Sequence, residues 1–149
     1  MNKIKIQIIV PLYNMENYIS QTLNSLLVQT FSDFEVLCIN DGSTDASLSI
    51  LENYATKDQR INVFTKENGG IADARNYGLS KVTAPYFAFL DSDDTVEPDM
   101  LEKLYQKAIE SNADVKALSL NNISIPFFRA WLNAKLAFPP PITELASIP

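Results

Sequence analysis

With 149 residues, 46% of them hydrophobic and 20% charged, the chain has the size and balance of one globular domain able to bury a core. A net charge of −6 argues against a nucleic-acid partner, which asks for a basic face. The lack of histidine excludes Ser-His-Asp and Cys-His machinery and zinc sites that need imidazole, and a single cysteine excludes an intrachain disulfide.

The first residues lead into an apolar run too short for a membrane span, with no small-residue cleavage site after it. Residues 4–10, rich in β-branched side chains and stopped by Pro11, predict a first strand, followed by the loop Pro11-Leu12-Tyr13-Asn14. Within residues 16–30, Ile19, Leu23, Leu26 and Leu27 recur at helical spacing, with Asn14 placed as a cap. Residues 34–39 read as a second buried strand, in which Cys38 is a small core residue that fits a reducing cytoplasm. That strand runs into Asn40-Asp41-Gly42-Ser43-Thr44-Asp45, where Asp45 can cap a helix with the apolar stripe Leu48, Leu51, Tyr54 and Ala55.

A short third strand at 61–64 precedes the glycine-bearing loop Lys66-Glu67-Asn68-Gly69-Gly70 and a helix at 72–79. Residues 84–90 predict a fourth strand. Glu97-Pro98 then starts a helix, proline taking its favoured first position, with Leu101, Leu104, Tyr105, Ala108 and Ile109 as the buried face. This alternation predicts an α/β fold, an open and mostly parallel sheet flanked by helices in three Rossmann-like layers. After Val115 the composition shifts. Residues 116–149 hold four charged residues and five of the chain's eight prolines, which predicts an atypical apolar, Pro-rich tail outside a folded part at 1–115.

The stretch 87–94, Phe-Ala-Phe-Leu-Asp-Ser-Asp-Asp, reads as a buried strand that ends abruptly in carboxylates. In an open α/β sheet the carboxyl end of a strand is where ligands bind. Asp91 and Asp93, two residues apart in extended chain, point the same way and suit a hard cation, Mg²⁺ or Mn²⁺, whose remaining shell takes water and phosphate oxygens. Without that cation a carboxylate and a phosphate charge at about 4 Å would repel by about 4 kcal/mol at an effective dielectric near 20. Taken alone, the same D-x-D is also compatible with a solvated acidic turn.

Four segments in this order and spacing, Val10-Pro11-Leu12-Tyr13-Asn14, Asn40-Asp41-Gly42-Ser43-Thr44-Asp45, Asn68-Gly69-Gly70 with Ala74-Arg75-Asn76, and Phe89-Leu90-Asp91-Ser92-Asp93-Asp94, carry a resemblance. The sequence resembles the family 2 glycosyltransferases of the GT-A fold, nucleotide-sugar-dependent enzymes common in bacterial surface-polysaccharide synthesis. The resemblance implies a nucleotide-sugar site made of Pro11, Tyr13, Asp41, Gly70, Arg75, Asp91 and Ser92. In it Pro11 and Tyr13 wall the base, Asp41 accepts the uracil N–H, and Arg75 lies at the base and phosphate side. Asp91 would contact ribose and, through water, the metal, and Asp93 would ligate Mn²⁺ or Mg²⁺ directly.

The implied reaction is transfer of a sugar from a nucleotide-diphosphate donor, a UDP-sugar first, to a glycan or lipid-linked acceptor. An inverting member also needs a carboxylate base, which the family carries downstream of its D-x-D loop; the expectation is therefore a truncated or interrupted enzyme with the catalytic base absent. The implied setting is cytoplasmic, with peripheral association at the inner face of the membrane or a partner subunit left open. Two rivals stand beside this reading. One is a nucleotide-sugar-binding remnant without catalysis. The other is a haloacid-dehalogenase-type phosphatase, which residues 87–96 also resemble, with Asp91 as nucleophile, Asp93 as general acid and Thr95 beside the phosphate.

Overall fold

The computed structural model describes residues 3–110 and 117–119 of the chain. Strands and helices alternate: β1 (Ile6–Leu12), α1 (Ile19–Leu27), β2 (Phe34–Asn40), α2 (Ser47–Lys57), β3 (Ile61–Thr65), α3 (Ile71–Ser80), β4 (Tyr86–Phe89), α4 (Met100–Glu110) and β5 (Ala117–Ser119). The five strands form one sheet in the order β3-β2-β1-β4-β5, every neighbouring pair parallel. This is the expected open α/β sheet. From β1 the sheet grows to β2 and β3 on one side, and the chain then crosses back to place β4 on the other. The strand order thus reverses between β1 and β4, and at such a switch point the carboxyl ends open a crevice.

The two faces of the sheet are covered unequally. On one face Ile6, Ile8, Val10 and Leu12 of β1 pack with Phe34, Val36 and Cys38 of β2 against Ile19, Leu23 and Leu26 of α1, Leu51 of α2 and Leu101 and Ala108 of α4. On the other, Ile9, Leu37, Ile39 and Phe87 meet Ala74 of α3. Gly78 lets α3 lie close to the sheet, since a Cβ there would collide with Ile9 Cγ2 and sit 3.2 Å from Ile39 Cγ1. Cys38 is fully buried, and burial pushes its thiol pKa up to about 12.

β1 does not stop at Pro11 but runs through it to Leu12, with Pro11 opposite Ile39 of β2. The Ile9 carbonyl accepts the Leu90 N–H and the Leu12 carbonyl accepts the Asp41 N–H. Residues 9 and 11 therefore address β4, and residues 10 and 12 address β2. The register with β4 ends at the pair Ile9 and Phe89, so the N–H that proline lacks would have pointed into the opening crevice.

Other local expectations shift for similar reasons. Asn14 does not cap α1: it has φ +52°, which halts the chain before a helix, and α1 begins five residues later. Asp45 does serve the start of α2, its Oδ1 accepting the Ser47 N–H at 2.9 Å. Pro98 lies in a turn before α4 rather than in its first position, the Met100 N–H reaching back to the Glu97 carbonyl. Ile109, placed on the buried face of α4, is 55% exposed. The strand and helix alternation also runs past Val115 into β5; the remainder of the tail, including the apolar stretch between Pro126 and Pro139, lies outside the described residues.

Candidate nucleotide site

A cleft of ≈ 400 Å³ opens at the carboxyl ends of β1 and β4, lined by Pro11, Leu12, Tyr13, Met15, Asp41, Asn68, Gly70, Ile71, Ala74 and Ser92. Five of the residues singled out from the sequence, Pro11, Tyr13, Asp41, Gly70 and Ser92, share this lining. Tyr13 and Ile71 are its exposed lips, at 45% and 54% accessibility. A concavity of ≈ 550 Å³ at residues 55–60 is larger, but it is formed by the α2–β3 turn alone and brings no separate elements together.

The floor is braced by two strand-end loops that bond to each other. Asn14 Oδ1 accepts the Thr44 N–H at 2.8 Å, Ser43 Oγ accepts the Asn14 N–H at 3.0 Å, and Ser47 Oγ accepts the Met15 N–H at 2.8 Å. Asp45 Oδ2 accepts the Glu16 N–H, while Glu16 Oε2 accepts the Ala46 N–H. Backbone groups that a helix or strand would have satisfied are paired here across the two loops.

Asp41, first residue beyond β2, is 2% exposed. Its Oδ1 accepts from Lys66 Nζ at 2.8 Å and from the Gly69 N–H at 3.0 Å, and its Oδ2 accepts the Gly70 N–H at 2.9 Å. Its main-chain carbonyl accepts from Asn68 Nδ2. Burial alone would raise its pKa, but the Lys66, Gly69 and Gly70 hydrogen bonds and the Lys66 charge together outweigh it and hold the carboxyl below its usual value. Gly70, at φ +91° and at the N-terminus of α3, turns its N–H onto Asp41 in a conformation that a side chain would strain.

At the other end of the cleft, Asp91 and Ser92 follow β4. The Ser92 carbonyl accepts from Thr22 Oγ1 at 2.8 Å, and Ser25 Oγ accepts the Val96 N–H, so α1 holds this loop from below. Arg75 of α3 pairs with Asp91, Nη2 to Oδ1 at 2.9 Å, its guanidinium 5.8 Å over the Phe89 ring. The Arg75 Nε is buried with no hydrogen-bond partner among the described residues. The Asp91 side chain is 46% exposed and Asp93 is exposed.

The donor set fits a hard divalent ion in its chemistry: carboxylate oxygens at a solvent-facing strand end, with room for water and phosphate. Among the described residues no cluster of three or more metal-ligating side chains occurs. The residue that sequence reasoning missed is Lys66. It sits 25 positions from Asp41, and nothing short of the β2 and β3 pairing announces that they meet.

Comparison with known proteins agrees with this fold. The family model for glycosyl transferase family 2 matches residues 7–146. The chain is 45% identical over 111 residues to the glycosyltransferase GlyA of Streptococcus pneumoniae, covering 74% of this chain and 16% of that protein. It is 47% identical over 104 residues to a glycosyltransferase of Haemophilus influenzae, covering 69% and 42%. It superposes on S. aureus TarS 1-349 in complex with UDP-GlcNAc with a TM-score of 0.69 at 37% identity, over 74% of this chain and 32% of that one. The fold also matches a mannosyltransferase from Pyrobaculum calidifontis, solved with GDP-Man and Mn²⁺, with a TM-score of 0.64 at 23% identity, over 71% of this chain and 32% of that one. The sheet is thus that of the GT-A nucleotide-diphospho-sugar transferases. The chain spans less than half the length of these curated relatives.

Proposed function

The chain belongs to glycosyl transferase family 2, and on that premise we propose that its cleft binds the nucleotide of a nucleotide-diphosphate-sugar, uridine diphosphate before other bases, for sugar transfer to an acceptor hydroxyl. The observation that carries this reading is the convergence of Pro11, Tyr13, Asp41 and Gly70 in one cleft, with Arg75 and Asp91 paired at the same sheet edge. Pro11 and Tyr13 wall the base on one side. Asp41 Oδ2, with one donor already bound and a lone pair remaining, accepts the ring N–H of uracil.

Arg75 is placed to turn its planar donors from Asp91 toward a diphosphate, and its unpaired Nε is a donor such an acceptor would satisfy. Asp91 and Ser92 serve the ribose side, and Asp93 with Asp91 holds Mn²⁺ or Mg²⁺. When bound, the ion supplies charge that stabilises the departing diphosphate. The acceptor is a glycan or lipid-linked hydroxyl, in surface-polysaccharide synthesis at the inner face of the membrane, reached peripherally or through a partner subunit. No helix among the described residues is long and apolar enough to cross a membrane.

A second reading, donor binding without transfer, is favoured by one observation. Asp41 is the one carboxylate lining the cleft among the described residues, and it is engaged by three donors, leaving no base there for the acceptor hydroxyl. The phosphatase reading gains no support: the family match and the relatives above are glycosyltransferases.

Calorimetry with UDP and Mn²⁺, followed by assay of sugar transfer and donor hydrolysis, separates these. UDP binding with transfer supports the enzyme, and UDP binding without either reaction supports the binding unit. Failure to bind any nucleoside diphosphate would sink both.

A further inference from the structure

Lys66 lies just past β3 and makes three contacts at once. Its ammonium donates to Asp41 Oδ1 at 2.8 Å, to the Glu67 carbonyl and to Asp73 Oδ2, the last on the first turn of α3. An ammonium has three N–H donors and no acceptor, so these partners use it fully. Two donors, Lys66 Nζ and the Gly69 N–H, occupy the two lone-pair directions of Oδ1, while Oδ2 receives the Gly70 N–H alone. The carboxylate is thereby fixed in rotation and offers a ligand one remaining acceptor direction, on Oδ2.

We propose that Lys66 is a specificity-determining positioning residue: by occupying Asp41 Oδ1 it presents Oδ2 to the cleft as a fixed anionic acceptor, which selects a base carrying a ring N–H, uracil, over one carrying a bare ring nitrogen, cytosine. This rests on the nucleotide reading of the cleft. A ring N–H facing the carboxylate makes a charge-assisted hydrogen bond. A cytosine N3 there sets lone pair against anion and leaves both unsatisfied, and a site built to hydrogen-bond one group rejects analogues that lack it. Among the described residues Tyr13 is the one other titratable side chain lining the cleft, so the anionic state of Asp41 is set by Lys66, backed by Asp73, and by the two glycine N–H groups.

Asp73, on the outer side of Lys66, is 55% exposed and orients the ammonium without lining the cleft. It gives a second handle that leaves Asp41 and its glycine donors intact.

The test titrates the full chain with UDP and with CDP, each with Mn²⁺, between pH 4 and 8, in the native protein, Lys66→Met, Lys66→Arg and Asp73→Asn, with thermal melting as a check on folding. The native protein should prefer UDP. In Lys66→Met the UDP affinity should fall about tenfold while CDP binding changes little. The acid limb of UDP binding should move to higher pH, because Asp41 loses the cation that keeps it ionised. Lys66→Arg should restore most of the preference, and Asp73→Asn should lower it by a smaller factor. Equal loss of UDP and CDP affinity in Lys66→Met, or an unmoved acid limb in a folded variant, would overturn the proposal and leave Lys66 a support of its loop. If Lys66→Met fails to fold, an unchanged UDP-to-CDP ratio and acid limb in Asp73→Asn would overturn it. A native protein that binds UDP and CDP equally refutes the selectivity but keeps nucleotide binding, whereas one that binds neither refutes the nucleotide reading itself.

Discussion

Two aspartates at the same edge of the same sheet have opposite surroundings. Asp41 is 2% exposed and engaged by three donors from the loop ahead of α3, whereas the Asp91 side chain is 46% exposed and held by Arg75, with the exposed Asp93 two residues on. The Asp41 carboxylate has its donors in place and faces the protein, while the Asp91 and Asp93 carboxylates face solvent. On the proposed reading, with the base at Asp41 and the ion and diphosphate at Asp91 and Asp93, the difference suits what each end would bind. A flat base is recognised by a few directional hydrogen bonds, and fixing them beforehand removes an ordering cost from binding. A hydrated divalent ion and a diphosphate bring their own charges and oxygens, and a site already saturated by protein donors would have no place for them.

The comparison is most exposed to Asp41→Ala. Removing the carboxylate takes away one of the three partners of Lys66 and leaves the Gly69 and Gly70 N–H groups unpaired, and denaturant titration should show a loss of about 3 kcal/mol of folding stability with UDP binding abolished. A stability loss no larger than that of Asp93→Ala would break the contrast. Arg75→Ala comes next. Its ion pair with Asp91 is partly solvated, so stability should fall by about 1 kcal/mol or less, while UDP affinity measured by calorimetry should fall about tenfold.

Acid gives a third, smaller effect. Asp41, Asp45 and Asp58 have folded-state pKa values below their ordinary 3.8. Each therefore contributes stability that is full above 3.8 and is lost as pH falls through the lower folded value. A melting-temperature series from pH 6 to pH 2 should be flat above pH 5 and steepen below pH 4, and less so in Asp41→Asn. The smallest effect on stability belongs to Asp93→Ala. It should change folding free energy by less than about 0.5 kcal/mol yet remove the gain in UDP affinity that Mn²⁺ provides.

The apolar runs announced all four principal strands, and the stripe Ile19, Leu23 and Leu26 announced α1, because burial on both faces of a sheet and on one face of a helix leaves plain periodic marks. The strand-end loops were legible for the same reason: polar residues cannot follow a buried strand unless the chain has emerged. What escaped the sequence depends on the third dimension. Pro11 inside a central strand makes sense once β4 is seen to end beside Ile9, and Lys66 finds Asp41 through the pairing of β2 with β3. The pairing of Arg75 with Asp91 is equally invisible along the chain, since α3 must first cross the sheet to bring the guanidinium to the end of β4. Asn14 failed as a cap because a left-handed residue, with its amide turned to Thr44, ties two loops together instead of starting a helix.

The chain's single cysteine, Cys38, lies fully enclosed in the middle of β2 with its thiol pKa near 12. A thiol in that state is almost never a thiolate at neutral pH, and alkylating reagents reach it when the sheet opens. Its labelling rate is therefore a built-in clock for opening of the fold. A cysteine introduced at Tyr13 would by contrast carry a dye in the native protein with no need to remove the original thiol, and could report ligand arrival at the mouth of the cleft.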